Sequence, residues 1–428
     1  MKNYNKINDF YIEEEEKALI KHIMPRYYVD HNSIEINYAL RFLQNELNAM
    51  LGSFVNGGFS YKGYVLHPLV SDLSKENIEN IKRLRKIILF LDKNGYDFSS
   101  SIRKYKDKIK SKDFAVILSS LYEDYSSIKS KKTTQIKKPE CEELDLSAYK
   151  KSDLNYLSTL NKLKNFANDK LKQYLLGFYL HGSLATRDYV KGWSDVDTLS
   201  IISKKTISNP NALLELRYRF YYMRYFFYKI DPLQHHGSTI MSEYDMENYC
   251  QAYFPVTIFK HAKSFFKDDK VSKFNARDFS SEALRSLFWH VSYFRKINST
   301  KFNPGSYETK TLLHYITLFP AIYLQAKGNP MYKKFTFDVA KEDFEKEDWQ
   351  IIDDISSMRR DWKSNGILPF INLFSRINPL LYYQINSRFI DLFKDIKEEN
   401  KIDINNIAKE MFKLSEVAWR QIKNESKV

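Results

Sequence analysis

The stretch "YLLGFYLHGSLATRDYVKGWSDVDTLSII", residues 174–202, constrains the fold more than any other part of the chain. An apolar run stops at Gly182-Ser183, eleven residues intervene, and Asp195-Val196-Asp197 opens a second apolar run. Short apolar runs with glycine at their ends read as buried strands, so two strands joined through a short helix, "LATRDYV", are predicted. Gly177, Gly182, Gly192 and Gly237 place four of the 12 glycines around this stretch. Glycine is what a backbone needs where it turns tightly or lets a ligand approach.

If Gly182-Ser183 opens a helical turn, its free N–H groups and the Ser183 hydroxyl form an anion cradle suited to phosphate. If Asp195 and Asp197 both lie on the following strand, the two-residue period puts their carboxylates on one face, with Val196 and Thr198 on the other. Paired carboxylates form a hard oxygen site for Mg²⁺, which commonly binds through one or two acids plus the phosphates of its substrate.

The surrounding chain divides into three parts. Residues 1–127 read as helical, because "SIEINYALRFLQNELNAMLGSF" and "KENIENIKRLRKIILFLDKNG" repeat apolar positions at helical spacing. Residues 128–151 are polar, charged and carry Pro139, which marks a linker. Residues 152–275 alternate helices with strands: a helix with Leu154, Leu157, Leu160, Leu163 and Phe166 on one face, the two strands above, a helix over 211–229 and a third strand over 233–242. Residues 276–428 are helical again, with Gly328 and Pro330 as a stop. The predicted class is α+β, a small mixed-sheet core flanked by helical domains at both ends.

Composition narrows the partners. The 67 Lys and Arg exceed the 53 Asp and Glu, a net charge of +14 spread along the chain, which favours polyanionic or phosphorylated partners or reflects coding bias. Cys141 and Cys250 are the only cysteines and lack metal-ligand spacing, so a reducing compartment fits. The N-terminus carries Glu13 to Glu16 where a secretory signal needs an apolar stretch, and no apolar run approaches the roughly 20 residues of a membrane span. The protein is read as cytoplasmic, without a membrane partner.

Gly182-Ser183, the spacing, and Ser194 before Asp195-Val196-Asp197 resemble the signature of the nucleotidyltransferase superfamily of DNA polymerase beta type. The resemblance covers about 30 residues closely and about 90 in topology. It implies that Gly182 and Ser183 hold the triphosphate of an NTP. Asp195 and Asp197 would bind two Mg²⁺ ions assisting attack on the α-phosphate, and pyrophosphate would leave. The helical domain after the core resembles small-molecule nucleotidyltransferases, so a small acceptor ranks first. An RNA acceptor such as a tRNA 3′ end, or a protein in a toxin-like enzyme, is the alternative, as is a binding scaffold that has lost catalysis.

The family usually supplies a third carboxylate from a later strand, and "KIDPLQHHGSTIMSEYDM" has none in its middle. Asp231 precedes that strand. His235 and His236 lie on it facing opposite ways, so one at most meets the site, as general base or metal ligand. Both also read as ordinary packing side chains. Arg187 and Lys191 follow the cradle, and Lys310 resembles the basic residue that a following helical domain sends to the triphosphate; Lys333 and Lys334 are further options. The tyrosines of 211–229 read as core and not as a base-stacking platform, and His290 as part of a helix face.

Overall fold

The computed structural model describes residues 33–56, 75–98, 111–128, 132–234, 236–252, 254–299, 303–363, 400 and 402–425. His235 and the acidic run Glu13 to Glu16 lie outside them. Among these residues the chain is mixed α+β, with helices at both ends and small mixed sheets between.

Helices α1 (Ile34–Val55), α2 (Lys75–Lys93) and α3 (Ser111–Ser126) come first. Ser33 caps α1 by accepting from the Ile36 N–H, and Phe42, Leu43, Leu47, Met50, Leu51 and Phe54 form its buried stripe. Two strands follow where a linker is expected, β1 (Thr134–Lys137) and β2 (Glu142–Glu143). Then come α4 (Leu154–Phe166), β3 (Leu175–His181), the single turn α5 (Gly182–Thr186), β4 (Asp197–Ile202), α6 (Pro210–Ile230) and β5 (Thr239–Ser242). Asn209 caps α6 and Pro210 occupies its first turn, where a missing N–H costs nothing.

After β6 (Lys263–Ser264) and β7 (Lys273–Ala276), the chain ends in α7 (Ser280–Asn298), α8 (Ser306–Ala326), α9 (Thr336–Lys341), α10 (Lys346–Arg360) and α11 (Ile404–Glu425).

The main sheet runs β2-β6-β3-β4-β5. Its centre is an antiparallel β3–β4 pair with His181 opposite Asp197, and β5 joins β4 in parallel after the α6 crossover. β1 pairs with β7 and β2 with β6, so the segment read as a linker is stitched into both sheets. Backbone polar groups that leave water need such partners.

Side chains alternate across the sheet as its period demands. Phe178 and Leu180 of β3 join one apolar core, while Tyr179, with Leu199 and Ile201 of β4, faces another. The first of these cores also takes in Phe54, Phe114 and Leu118, so the N-terminal helices and the sheet share one interior. The C-terminal helices build a separate core that reaches back to Trp193 and Leu233. No helix among the described residues is long and apolar enough to cross a membrane.

Candidate metal centre and cavity

Strand β3 ends at His181, and the chain turns at Gly182 with φ +70°. A Cβ there would collide with the Asp197 carboxylate, so the position requires glycine both for its backbone angle and for the close approach. Ser183 Oγ donates to Ser194 Oγ at 2.9 Å, and Ser194 Oγ accepts from the Val190 N–H at 2.9 Å. The Gly-Ser pair is thereby tied to the loop that delivers the aspartates.

The aspartates do not share a strand. Asp197 opens β4, but Asp195 lies in the extended lead-in before it. A side chain replaces the missing ladder. Gln234 Oε1 accepts from the Val196 N–H at 2.9 Å while its Nε2 reaches the Val196 carbonyl at 3.3 Å, pinning the backbone between the acids. The same Nε2 donates to the His236 carbonyl at 3.0 Å. One amide therefore sets acids and histidine relative to each other.

His236 precedes β5 instead of lying within it, because pairing with β4 begins at Thr239. Its Nε2 sits 2.9 Å from Asp195 Oδ2 and 3.3 Å from Asp197 Oδ1. Its Nδ1 lies 2.8 Å from the Gly237 carbonyl. A carbonyl only accepts, so Nδ1 carries the hydrogen, and Nε2 turns toward two electron-rich carboxylates. Such a grouping requires a proton or a cation between its members. The three ligand atoms lie within 4.8 Å of one another, and their oxygen-and-nitrogen donor set fits a divalent metal ion.

The charges follow from this crowding. Burial alone would lower the His236 pKa, but hydrogen bonds and charges from Asp195 and Asp197 hold it well above the ordinary value. Burial would raise that of Asp195, yet His314, His236 and Lys310 hold it well below the usual carboxylate range. His314, on α8, places Nδ1 3.6 Å from Asp195 Oδ2 and stacks on Trp193 at 4.8 Å between ring centres.

The cluster opens into a cavity of about 580 Å³ between the sheet and the C-terminal helices. His181, Gly182, Ser183, Asp195, Asp197 and His236 are among its lining residues. The lining also includes aromatic and basic side chains: Tyr293 from α7, Tyr315 from α8, then Tyr332, Lys333, Lys334, Phe337 and Arg359. Lys333 donates to Thr317 Oγ1 at 2.9 Å, and burial pushes its pKa down against the pull of Asp197 and Asp195. Arg359 donates to the Asp188 carbonyl at 3.3 Å.

Gly182, Ser183, Asp195, Asp197 and His236 are therefore brought together, while four other candidates, Asp231, Lys310, Arg187 and Lys191, stand elsewhere. Asp231 and Lys310 face each other at 2.6 Å, 1% and 0% exposed, and neither lines the cavity. Burial raises the Asp231 pKa to about 6 although Lys310 pulls it down. Buried together, the two compensate each other's charge, while Lys310 also acts on Asp195 from outside the cavity. Arg187 ends α5 at φ 63°, donates to the Ala148 carbonyl at 3.0 Å and also stays off the cavity wall. Lys191 is held at 2.5 Å by Asp153. The tyrosines of α6 line no part of the cavity.

Gln234 and His314 carry no local sequence signal, since they reach the Asp195–Asp197 segment only through tertiary packing. No protein-family model, curated protein or solved structure matches this chain.

Proposed function

We propose that the protein is a divalent-metal-dependent nucleotidyltransferase that moves a nucleoside monophosphate from an NTP to an acceptor hydroxyl or phosphate, with release of pyrophosphate. The observation that carries this reading is the Asp195–Asp197–His236 donor set lining one cavity together with Lys333, Lys334 and Arg359. A metal ion held by Asp195, Asp197 and His236 would supply Lewis-acid stabilisation of the charge that develops on a phosphoryl group. Lys333 and Arg359, which line the cavity as Lys310 and Arg187 do not, are the cations proposed to bind the remaining phosphates; Lys334 lines it too but is paired with Asp188 at 3.7 Å.

Gln234 and the Ser183–Ser194 bond hold the donor atoms in place, so little reorganisation is needed when a substrate arrives. The aromatic wall of Tyr293, Tyr315, Tyr332 and Phe337 offers flat apolar surface to a base or an acceptor ring and keeps water from the phosphates. A volume of about 580 Å³ lies within the span of about 300–1,000 Å³ typical of small-molecule sites, room enough for a nucleotide.

The test is pyrophosphate release from each NTP with a panel of acceptors. Replacing both Asp195 and Asp197 by Asn removes two metal ligands and should lower turnover on the order of a thousand-fold, the scale of several kcal/mol of transition-state stabilisation. Full turnover in the double variant would sink the assignment.

A further inference from the structure

We propose that the Asp195–Asp197–His236 cluster selects a first-row transition-metal divalent cation, such as Mn²⁺, over Mg²⁺. The inference rests on reading this cluster as the metal centre, and it concerns which ion the cluster is built to hold.

The donor set is the reason. Two carboxylate oxygens and one imidazole nitrogen converge within 4.8 Å, and no carboxylate takes the nitrogen's place. Mg²⁺ is a hard ion that takes oxygen ligands and keeps much of its water. Imidazole suits Fe²⁺, Ni²⁺, Cu²⁺ and Zn²⁺ best, and the affinity of a mixed nitrogen-and-oxygen site rises along the first transition row from Mn²⁺, its weakest binder and the member nearest to Mg²⁺ in its liking for oxygen. Exchanging a third carboxylate for a histidine therefore costs Mg²⁺ a strong ligand and leaves the softer ions with one they accept.

The ring is held for this task. Nδ1 donates to the Gly237 carbonyl at 2.8 Å, leaving Nε2 as the atom that faces Asp195 and Asp197. Metal-binding histidines are commonly oriented in this way, through a hydrogen bond from the other ring nitrogen to a carbonyl or carboxylate. The Gly237 segment is itself fixed. The Asn56 side chain accepts from the Ser238 N–H at 3.1 Å and donates to the Ser238 carbonyl at 2.8 Å. Asp231, the nearest acid before His236 in the chain, is tied to Lys310 and does not compete for the role.

Titration calorimetry on the full chain with MnCl₂ and MgCl₂, without nucleotide, tests the preference in the native protein and in His236→Asp. The ratio of Mn²⁺ to Mg²⁺ affinity should fall at least about tenfold in the variant, because only the nitrogen ligand distinguishes the two. Pulsed EPR of Mn²⁺ bound to the native protein should show coupling to an imidazole ¹⁴N, a readout that needs no variant to fold. An unchanged ratio, bound Mn²⁺ without nitrogen coupling, or no Mn²⁺ binding would overturn the proposal. A protein that transfers nucleotides on Mg²⁺ without nitrogen coupling would sink this inference and leave the proposed activity standing. One that binds Mn²⁺ through nitrogen but never releases pyrophosphate would do the reverse.

Discussion

Asp231 and Lys310 show what a single buried contact decides. The pair sits at 2.6 Å behind Asp195, essentially without solvent, and Asp231 also accepts from the Leu233 N–H at 3.0 Å as the chain leaves α6. Removing Lys310 leaves Asp231 sealed away without its counter-charge, so the buried acid must be charged at a penalty or take up a proton. Lys310→Met should therefore cost about 3–5 kcal/mol in urea unfolding at neutral pH, and adding Asp231→Asn should recover part of the loss. The sign of the pH effect follows from the raised Asp231 pKa of about 6. Protonation in the folded state stabilises fully below the ordinary carboxyl value of 3.8 and is lost as pH rises through about 6. The gap between Lys310→Met and the native protein should accordingly be narrower at pH 5 than at pH 7, and an equal gap would show that Asp231 does not carry the charge. From sequence, Asp231 is one option for the third group, beside His235 and His236, because of where it stands. Its partner 79 residues away cannot be read from position.

At the scale of elements, spacing is a good guide and pairing a poor one. The helices over 34–55, 75–93 and 210–230 lie close to where the apolar repeats place them, since helical contacts are local. The strands differ. Asp195 falls outside β4, β5 begins six residues later than its apolar run suggests, and the polar 128–151 segment contributes β1 and β2. Strand ends are set by which partner is present, and the partners are distant in sequence. The α7–α8 contact offers an element-scale test. His290 of α7 is fully buried among Phe294, Tyr315 and Phe319, with Nε2 3.4 Å from the Tyr315 carbonyl, and burial lowers its pKa from 6.5 to about 3. A depressed histidine binds its proton in the unfolded chain first, so stability is full above about pH 6.5 and falls as acid is added down to about pH 3. By this linkage the native protein should lose about 2 kcal/mol between pH 7 and pH 5 from His290 alone. His290→Phe should flatten that limb in urea unfolding, and an unaltered acid limb would refute it.

At the scale of the molecule, the site is assembled from three regions. The sheet brings the acids, the C-terminal helices bring His314, Lys333 and Arg359, and the N-terminal layer reaches in through Asn56 at the end of α1. Gly237 has no side chain where one would strike Asn56, which lets the two segments meet. The N-terminal helices thus have a place in the site that their own sequence does not disclose. Asn56→Ala should weaken Mn²⁺ binding by about tenfold, the effect expected of losing an outer support of a metal ligand. Calorimetry against the native protein checks it, and unchanged affinity would limit the N-terminal layer to packing.

The helical ends, the strand–turn–strand around Gly182, and Gly182, Ser183, Asp195 and Asp197 among the lining of the candidate site are legible from the residues alone. Those features depend on contacts a few residues apart, and periodicity and glycine record such contacts directly. Folding in three dimensions brings His236 to the cluster, pairs Lys310 with Asp231, and places Lys333 and Arg359 in the cavity that the acids line. A charged side chain's role depends on its nearest partner and on how much water surrounds it. Both are properties of packing, and for Lys310 and Asp231 they turned two expected site residues into a buried ion pair.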